Sequence, residues 1–147
     1  MKKIAITFSV ILYAIVVPIL DISDTHVWNP DWTPHARIHE VWQLITNSSI
    51  GILCMWLVWY KKEVVLSSLL SILVMGGFIL AFFLKDGYDG SMKYLDGSEK
   101  TILGINMAIL GFGIAFLVLI LSHVITKTKK LHTTNLIQSH GHSKSHA

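Results

Sequence analysis

One short polar stretch, residues 25 to 43, carries most of the side chains in this chain that could do chemistry. It contains three histidines, three tryptophans, two prolines and the only arginine. Imidazole can bind a metal ion or carry a proton near neutral pH, and guanidinium pairs with phosphate or carboxylate. Indole rings supply apolar walls with one polar edge. These residue types together indicate a metal site, a site for an anionic ligand, or a structural clamp.

The metal hypothesis depends on histidine spacing. His35 and His39 are four residues apart, which places both imidazoles on one face of a helix and within reach of one ion. Because two ligands do not make a stable zinc site, His26 or a carboxylate must supply the third. The cofactor would then be a transition metal such as zinc or iron. In a metal-dependent membrane enzyme, Glu40 or Asp24 would act as general base toward a bound water.

The binding hypothesis uses the other side chains of the same stretch. The bound species would be a lipid headgroup, a small apolar or anionic ligand, or a partner protein, and Arg37 would supply the contact to an anionic group. Gln43 and Asn47 extend the polar side of the helix toward the membrane, and Asn106 is expected at a similar depth. The expected site is a pocket open to the outer face, floored near the two asparagines and walled by tryptophans: Trp28, Trp32 and Trp42. In the structural alternative, Asn29-Pro30 and Thr33-Pro34 form turns, the tryptophans anchor the interface, and Arg37 pairs with acidic residues or lipid phosphate.

The composition places this stretch at a membrane. The 147 residues are 52% hydrophobic and 14% charged, with a mean hydropathy of +0.58, whereas about 25% of residues are charged in an ordinary soluble domain. We expect an all-α bundle of four transmembrane helices with spans near residues 4–20, 41–60, 64–84 and 102–125. Thr33 followed by Pro34 indicates that the second helix begins before its apolar run. Residues 1–130 would form one domain, and 131–147 a flexible, histidine-containing cytoplasmic tail.

The charges predict an orientation. With both termini in the cytoplasm, eight basic residues lie inside and four outside, as the positive-inside rule requires. The motif then faces the periplasm or the exterior, and the expected location is the inner (plasma) membrane. The net charge of +3 therefore reflects topology and contact with anionic lipid, and no nucleic-acid partner is expected. The four outer basic residues are Arg37, Lys85, Lys93 and Lys100.

Two further features concern packing. Because Cys54 is the single cysteine, an intrachain disulfide is excluded. It lies within the second span and is interpreted as a small core residue. Four small residues of the fourth span follow at spacings of four, three and four, and they predict a helix-packing face within the chain or in a homo-oligomer. An oligomeric transporter subunit is therefore a third functional alternative. These residues are Gly104, Ala108, Gly111 and Ala115.

Part of the polar stretch resembles a motif of a family of small, uncharacterised bacterial membrane proteins. The pattern is Thr-His-x-x-Asn-Pro-x-Trp-x-Pro-His-Ala-Arg-x-His, and it corresponds here to Thr25 through His39. The resemblance covers about fifteen residues. It implies a domain of four membrane helices in which these polar residues matter together, and it implies no particular activity.

Overall fold

The structure, a computed structural model, describes residues 1–94 and 96–123. It is mostly helical, and three of its helices are long and apolar enough to cross a membrane. The helices are α1 (Lys2–Asp21), α2 (Pro34–Lys61), α3 (Val64–Leu84) and α4 (Met107–His123). A 3-10 turn, Lys85–Tyr88, extends α3. Strands β1 (Thr101–Ile102) and β2 (Ile105–Asn106) form a small antiparallel hairpin before α4.

The start of α2 follows the capping signal in the sequence. Thr33 has extended backbone dihedrals, and its side-chain oxygen accepts a hydrogen bond from the backbone N–H of Ala36 at 3.2 Å. Proline at the first helical position loses nothing, because that N–H has no partner within the helix. The prediction that α2 begins at Pro34 is confirmed, and the first turns of this helix carry His35, Arg37 and His39.

The predicted start of the fourth span is wrong. Residues 102–106 belong to the hairpin, whose turn places Leu103 and Gly104 in the left-handed region with φ of 53° and 78°. Such a turn cannot continue a right-handed helix. Gly104 therefore does not lie on the predicted small-residue face of α4, and Ala115 of that face is fully buried within this chain. Residues 124 and 125 of the predicted span and the predicted tail, 131–147, lie outside the described residues.

Asn106 forms the N-cap of α4. Its side-chain oxygen accepts hydrogen bonds from the backbone N–H groups of Ala108 at 2.9 Å and Ile109 at 3.3 Å. We expect Asn106→Ala to lower the free energy of unfolding by about 1 kcal/mol, the usual cost of losing such a cap. Thermal unfolding in detergent, followed by circular dichroism, measures this. Asn106→Ser keeps an acceptor and should lose much less, and equal losses in the two variants would contradict the capping role.

A small polar network joins three helices inside the bundle. Tyr13 of α1 lies 3.4 Å from the Ser71 hydroxyl of α3, and Ser67 of α3 donates to the Cys54 carbonyl of α2 at 3.0 Å. All four side chains are fully buried. Cys54 is therefore a core residue, as predicted. The serines of α3 were not singled out from the sequence, although Ser67 and Ser71 lie one turn apart and polar groups commonly link membrane helices.

The outer faces of the helices are apolar. Ile4, Ile52, Leu73 and Phe83 are each at least 62% exposed, an arrangement that suits contact with lipid and is costly in water. At one end of the bundle, the Lys3 ammonium lies 5.2 Å from the ring of Trp59. The beginning of α1 therefore lies beside the end of α2, and the loop between these helices occupies the opposite end.

Candidate functional site

The loop between α1 and α2 is organised around Asn29. This side chain is 4% exposed. Its amide donates to the Thr25 carbonyl at 3.2 Å, and its oxygen accepts from the Asp31 backbone N–H at 3.0 Å. A buried amide with both ends bonded holds the loop in one conformation. The turn predicted at Asn29-Pro30 is therefore held by the hydrogen bonds of the Asn29 side chain.

His26 is fixed by its own loop. Its Nδ1 atom lies 2.9 Å from the Thr25 hydroxyl and 3.6 Å from the Asp21 carboxylate. The ring packs edge-on against Trp32, with a centroid separation of 5.6 Å. Ser23 continues the hydrogen-bond chain, because its hydroxyl lies 2.9 Å from that of Thr25 and donates to the Leu20 carbonyl at 2.8 Å. Asp21 and the Leu20 carbonyl, both at the C-terminal end of α1, therefore help to fix the position of His26.

Glu40 belongs to the same neighbourhood. It is half-buried on α2, and the pKa of its carboxyl is raised above the ordinary value by burial first and by the negative charge of Asp21 second, while His26 opposes the shift. Asp21 itself is half-buried and adjoins His26. We name Asp21, His26 and Glu40 the carboxylate–histidine cluster. Asp24, the other candidate general base, is exposed, whereas Glu40 is half-buried, so burial favours Glu40 of the two.

Arg37 adjoins this loop, and in the described part of the chain it has no acidic partner. Its side chain is half-buried, and its Nη2 atom donates to the Pro30 carbonyl at the long distance of 3.4 Å. Its Nε atom is buried and has no hydrogen-bond partner among the described residues. Within residues 1–94 and 96–123, the ion pairs join His26 to Asp21 and Lys85 to Asp86. The expected pairing of Arg37 with an acidic side chain of the protein is therefore not formed there.

His35 and His39 point away from that loop. Both are exposed, and their Nε2 atoms lie 3.1 Å apart with the rings edge-to-face. In an α-helix, with about 100° between successive residues, Arg37 lies about 200° around the axis from His35. The helix therefore directs the histidine pair and Arg37 to opposite sides. No three His, Cys, Asp or Glu side chains of the described residues form a group that could hold a metal ion.

This arrangement does not show the predicted three-histidine site among the described residues. His35 and His39 are brought together as the spacing requires, but His26 does not join them in a metal-holding group. The physical reason is that His26 is bonded to Thr25 and Asp21 at the end of α1, whereas the pair lies on the exposed side of α2. The metal-dependent enzyme that would use all three histidines therefore lacks its ligand set within the described residues.

The remaining predicted residues are dispersed. Trp28 and Trp42 are 62% and 65% exposed, and Trp42 lies beside His39 with ring centroids 5.8 Å apart. Gln43 is exposed and Asn47 is half-buried on α2. The expected floor beside Asn47 stays a prediction for Asn106. Its amide is used to cap α4 and to donate to Glu99 at 2.9 Å.

The second loop at this end uses its carboxylates locally. Asp96 accepts hydrogen bonds from the Ser98 hydroxyl at 2.6 Å and from the Ser98 backbone N–H at 2.8 Å. These bonds, the side-chain one foremost, favour the charged form and lower the pKa of Asp96. Glu99 is held by Asn106, and Asp86 pairs with Lys85 at 2.6 Å. These three acidic residues are therefore engaged within their own loop.

The chain matches no protein-family model, and neither the curated proteins nor the solved structures include a match to it. The resemblance of residues 25–39 to the motif of small bacterial membrane proteins consequently stays a prediction. The candidate site residues lie in the loop and in the first turns of α2, and their geometry indicates what the protein can bind.

Proposed function

We propose that this protein is a four-span inner-membrane protein with both termini in the cytoplasm, and that its outer loop binds the phosphate headgroup of an anionic lipid. Arg37 supplies the contact to the phosphate. The membrane character is supported by three long apolar helices, and the choice of ligand follows from the arginine.

The observation that carries the proposal is the state of the Arg37 side chain. A half-buried guanidinium ordinarily has a carboxylate partner, because burying a charge without one is costly. Within residues 1–94 and 96–123 the ion pairs do not include Arg37, and the Asp21 carboxylate lies beside His26. In that part of the chain Arg37 keeps one long bond to a carbonyl, and its buried Nε–H has no acceptor. A phosphate oxygen is the acceptor that would satisfy this fork of donors.

The surroundings favour a lipid over a free anion. Trp28 and Trp42 are exposed near the motif, and indole side chains prefer the headgroup level of a bilayer. Below them the lipid-facing side of α2 is apolar, with Ile45 and Ile52 62% and 73% exposed. A lipid would place its phosphate beside Arg37 and its acyl chains along this face.

The orientation is supported by how α1 and α2 pair. Lys3 lies over Trp59 and Lys61 lies over Trp56, so these basic residues gather at one end of the helix pair. Basic residues with aromatic neighbours are typical of the cytoplasmic membrane edge. The loop with Arg37 would then face outward.

The test measures lipid retained by the purified protein. We expect the full chain, extracted in mild detergent and supplied with phosphatidylglycerol, to retain this lipid in native mass spectrometry. Arg37→Gln should weaken retention at least about tenfold, since losing a charge-assisted contact costs about 1.5–3 kcal/mol. Arg37→Lys keeps the charge but loses the planar fork, so an intermediate affinity is expected.

Two controls separate this effect from general electrostatics. Lys100→Gln removes one positive charge from the other loop at the same end and should leave retention unchanged. Glycerol phosphate, which has the headgroup but no acyl chains, should compete weakly. Equal retention by the wild type and Arg37→Gln would refute the proposal, and strong competition by glycerol phosphate would identify the ligand as a soluble anion.

A second candidate function has one observation in its favour. The carboxylate–histidine cluster combines an imidazole with two half-buried carboxylates, and such a group can exchange protons as a general acid and base. It is an enzymatic alternative that needs no third histidine. An activity lost in both His26→Gln and Glu40→Gln but kept in Arg37→Gln would favour catalysis by this cluster over lipid binding.

A further inference from the structure

The pair formed by His35 and His39 has no role in the fold or in the proposed lipid site. Both side chains are exposed, and among the described residues the hydrogen bond of either ring is the one to the other ring. Arg37 lies on the opposite side of α2, and His26 is bonded elsewhere. Packing therefore does not explain why the two imidazoles lie together at the surface.

The separation of the two Nε2 atoms fits a shared metal ion. They lie 3.1 Å apart. Two imidazole nitrogens bound to zinc at about 2.0–2.1 Å are separated by about 3.3–3.4 Å when the angle at the metal is tetrahedral. With an angle near 90°, as in tetragonal copper sites, the separation is about 2.9 Å. The observed value lies between these distances, so small rotations of the two rings would aim both lone pairs at one ion.

We propose that His35 and His39 form a two-histidine site that binds a late divalent transition metal, zinc or copper, weakly and reversibly, with the remaining positions filled by water, since two protein ligands are too few to hold a structural zinc ion. Imidazole is the preferred neutral ligand of both ions. One turn of helix fixes the two rings relative to each other before the ion arrives. Because no third protein ligand gathers there among the described residues, the ion keeps open positions and exchanges readily.

The position of Trp42 gives the site its own optical signal. Its ring lies 5.8 Å from that of His39, and a copper ion on the pair would therefore quench its fluorescence. This signal does not depend on lipid binding or on any activity. Because His26 lies beside Trp32, the Trp42→Phe variant is what assigns the quenching to the pair.

The experiment measures metal binding to the full chain purified without a histidine tag. His132, His140, His142 and His146 are replaced by asparagine in every sample, because histidines in that segment would bind the same ions. Titration calorimetry with Zn²⁺ should give about one ion per chain. His35→Ala and His39→Ala should each weaken binding by more than about tenfold. Even the loss of a group that only orients a metal ligand costs about 10–100-fold in affinity.

His26→Ala is the matched control and should bind Zn²⁺ like the parent. Cu²⁺ should quench fluorescence in the parent, and Trp42→Phe should remove most of that quenching. Unchanged binding in both His35→Ala and His39→Ala, or absence of binding in the parent, would overturn the proposal. A loss in His26→Ala equal to that in His39→Ala would overturn the two-histidine assignment. Circular dichroism shows whether each variant is folded.

Discussion

Replacement of Gly51 by alanine is expected to force α1 and α2 apart and to lower the free energy of unfolding by about 2–3 kcal/mol. A Cβ atom at position 51 would overlap the Cβ atom of Ala14 and would lie 3.2 Å from Cγ1 of Val10. Neither neighbour is the far end of a flexible side chain, so the helices themselves must move. The intrinsic preference of alanine for a helix, about 1 kcal/mol over glycine, only partly offsets this cost.

The chain provides a matched control for this prediction. Gly77 lies within α3, and a Cβ atom built there would meet nothing within 4 Å. Gly77→Ala should therefore be neutral or stabilising by up to about 1 kcal/mol. The measurement is unfolding in mixed micelles of increasing denaturing detergent, followed by tryptophan fluorescence. If Gly51→Ala were as stable as Gly77→Ala, the close approach of α1 and α2 at position 51 would be wrong.

The second large effect is expected at Asn29. Asn29→Ala removes a buried side chain that donates to the Thr25 carbonyl and accepts from the Asp31 N–H, in two part-buried hydrogen bonds. Losing both bonds should cost about 1–3 kcal/mol. The consequence should extend to the site, because Thr25 positions His26 and because Pro30, whose carbonyl receives the bond from Arg37, directly follows Asn29.

Two measurements test this prediction. Thermal unfolding should show the loss of stability, and retention of phosphatidylglycerol should fall in Asn29→Ala even though Arg37 is intact. Asp24→Ala, an exposed residue of the same loop, should change neither. A variant Asn29→Ala with normal stability and normal lipid retention would show that the loop does not depend on this amide.

Local sequence signals predicted several features of the fold. The apolar run at 64–84 coincides with α3, and the Thr33-Pro34 pair marks the start of α2. Both depend on interactions within a few residues, namely lipid-compatible composition and helix capping. The close pair of His35 and His39 follows in the same way from one turn of helix. The hairpin at 101–106 was missed because isolated apolar residues there extend the hydrophobic pattern of α4, whereas the turn at Leu103-Gly104 interrupts the helix.

Residues that are close together in the sequence motif have different surroundings in the structure. The sequence placed His26, Arg37 and His39 in one dense stretch, and adjacency along the chain suggested one site. Only the tertiary structure decided that His26 turns toward Asp21 at the end of α1, while His39 stays on the exposed side of α2. The turns of the loop between α1 and α2, which composition and spacing do not specify, determined these partners. Membrane character and the start of α2 were therefore determined by the sequence itself, whereas the partners of Arg37 and His26 were decided by the folded loop, because its turns fix which side chains meet.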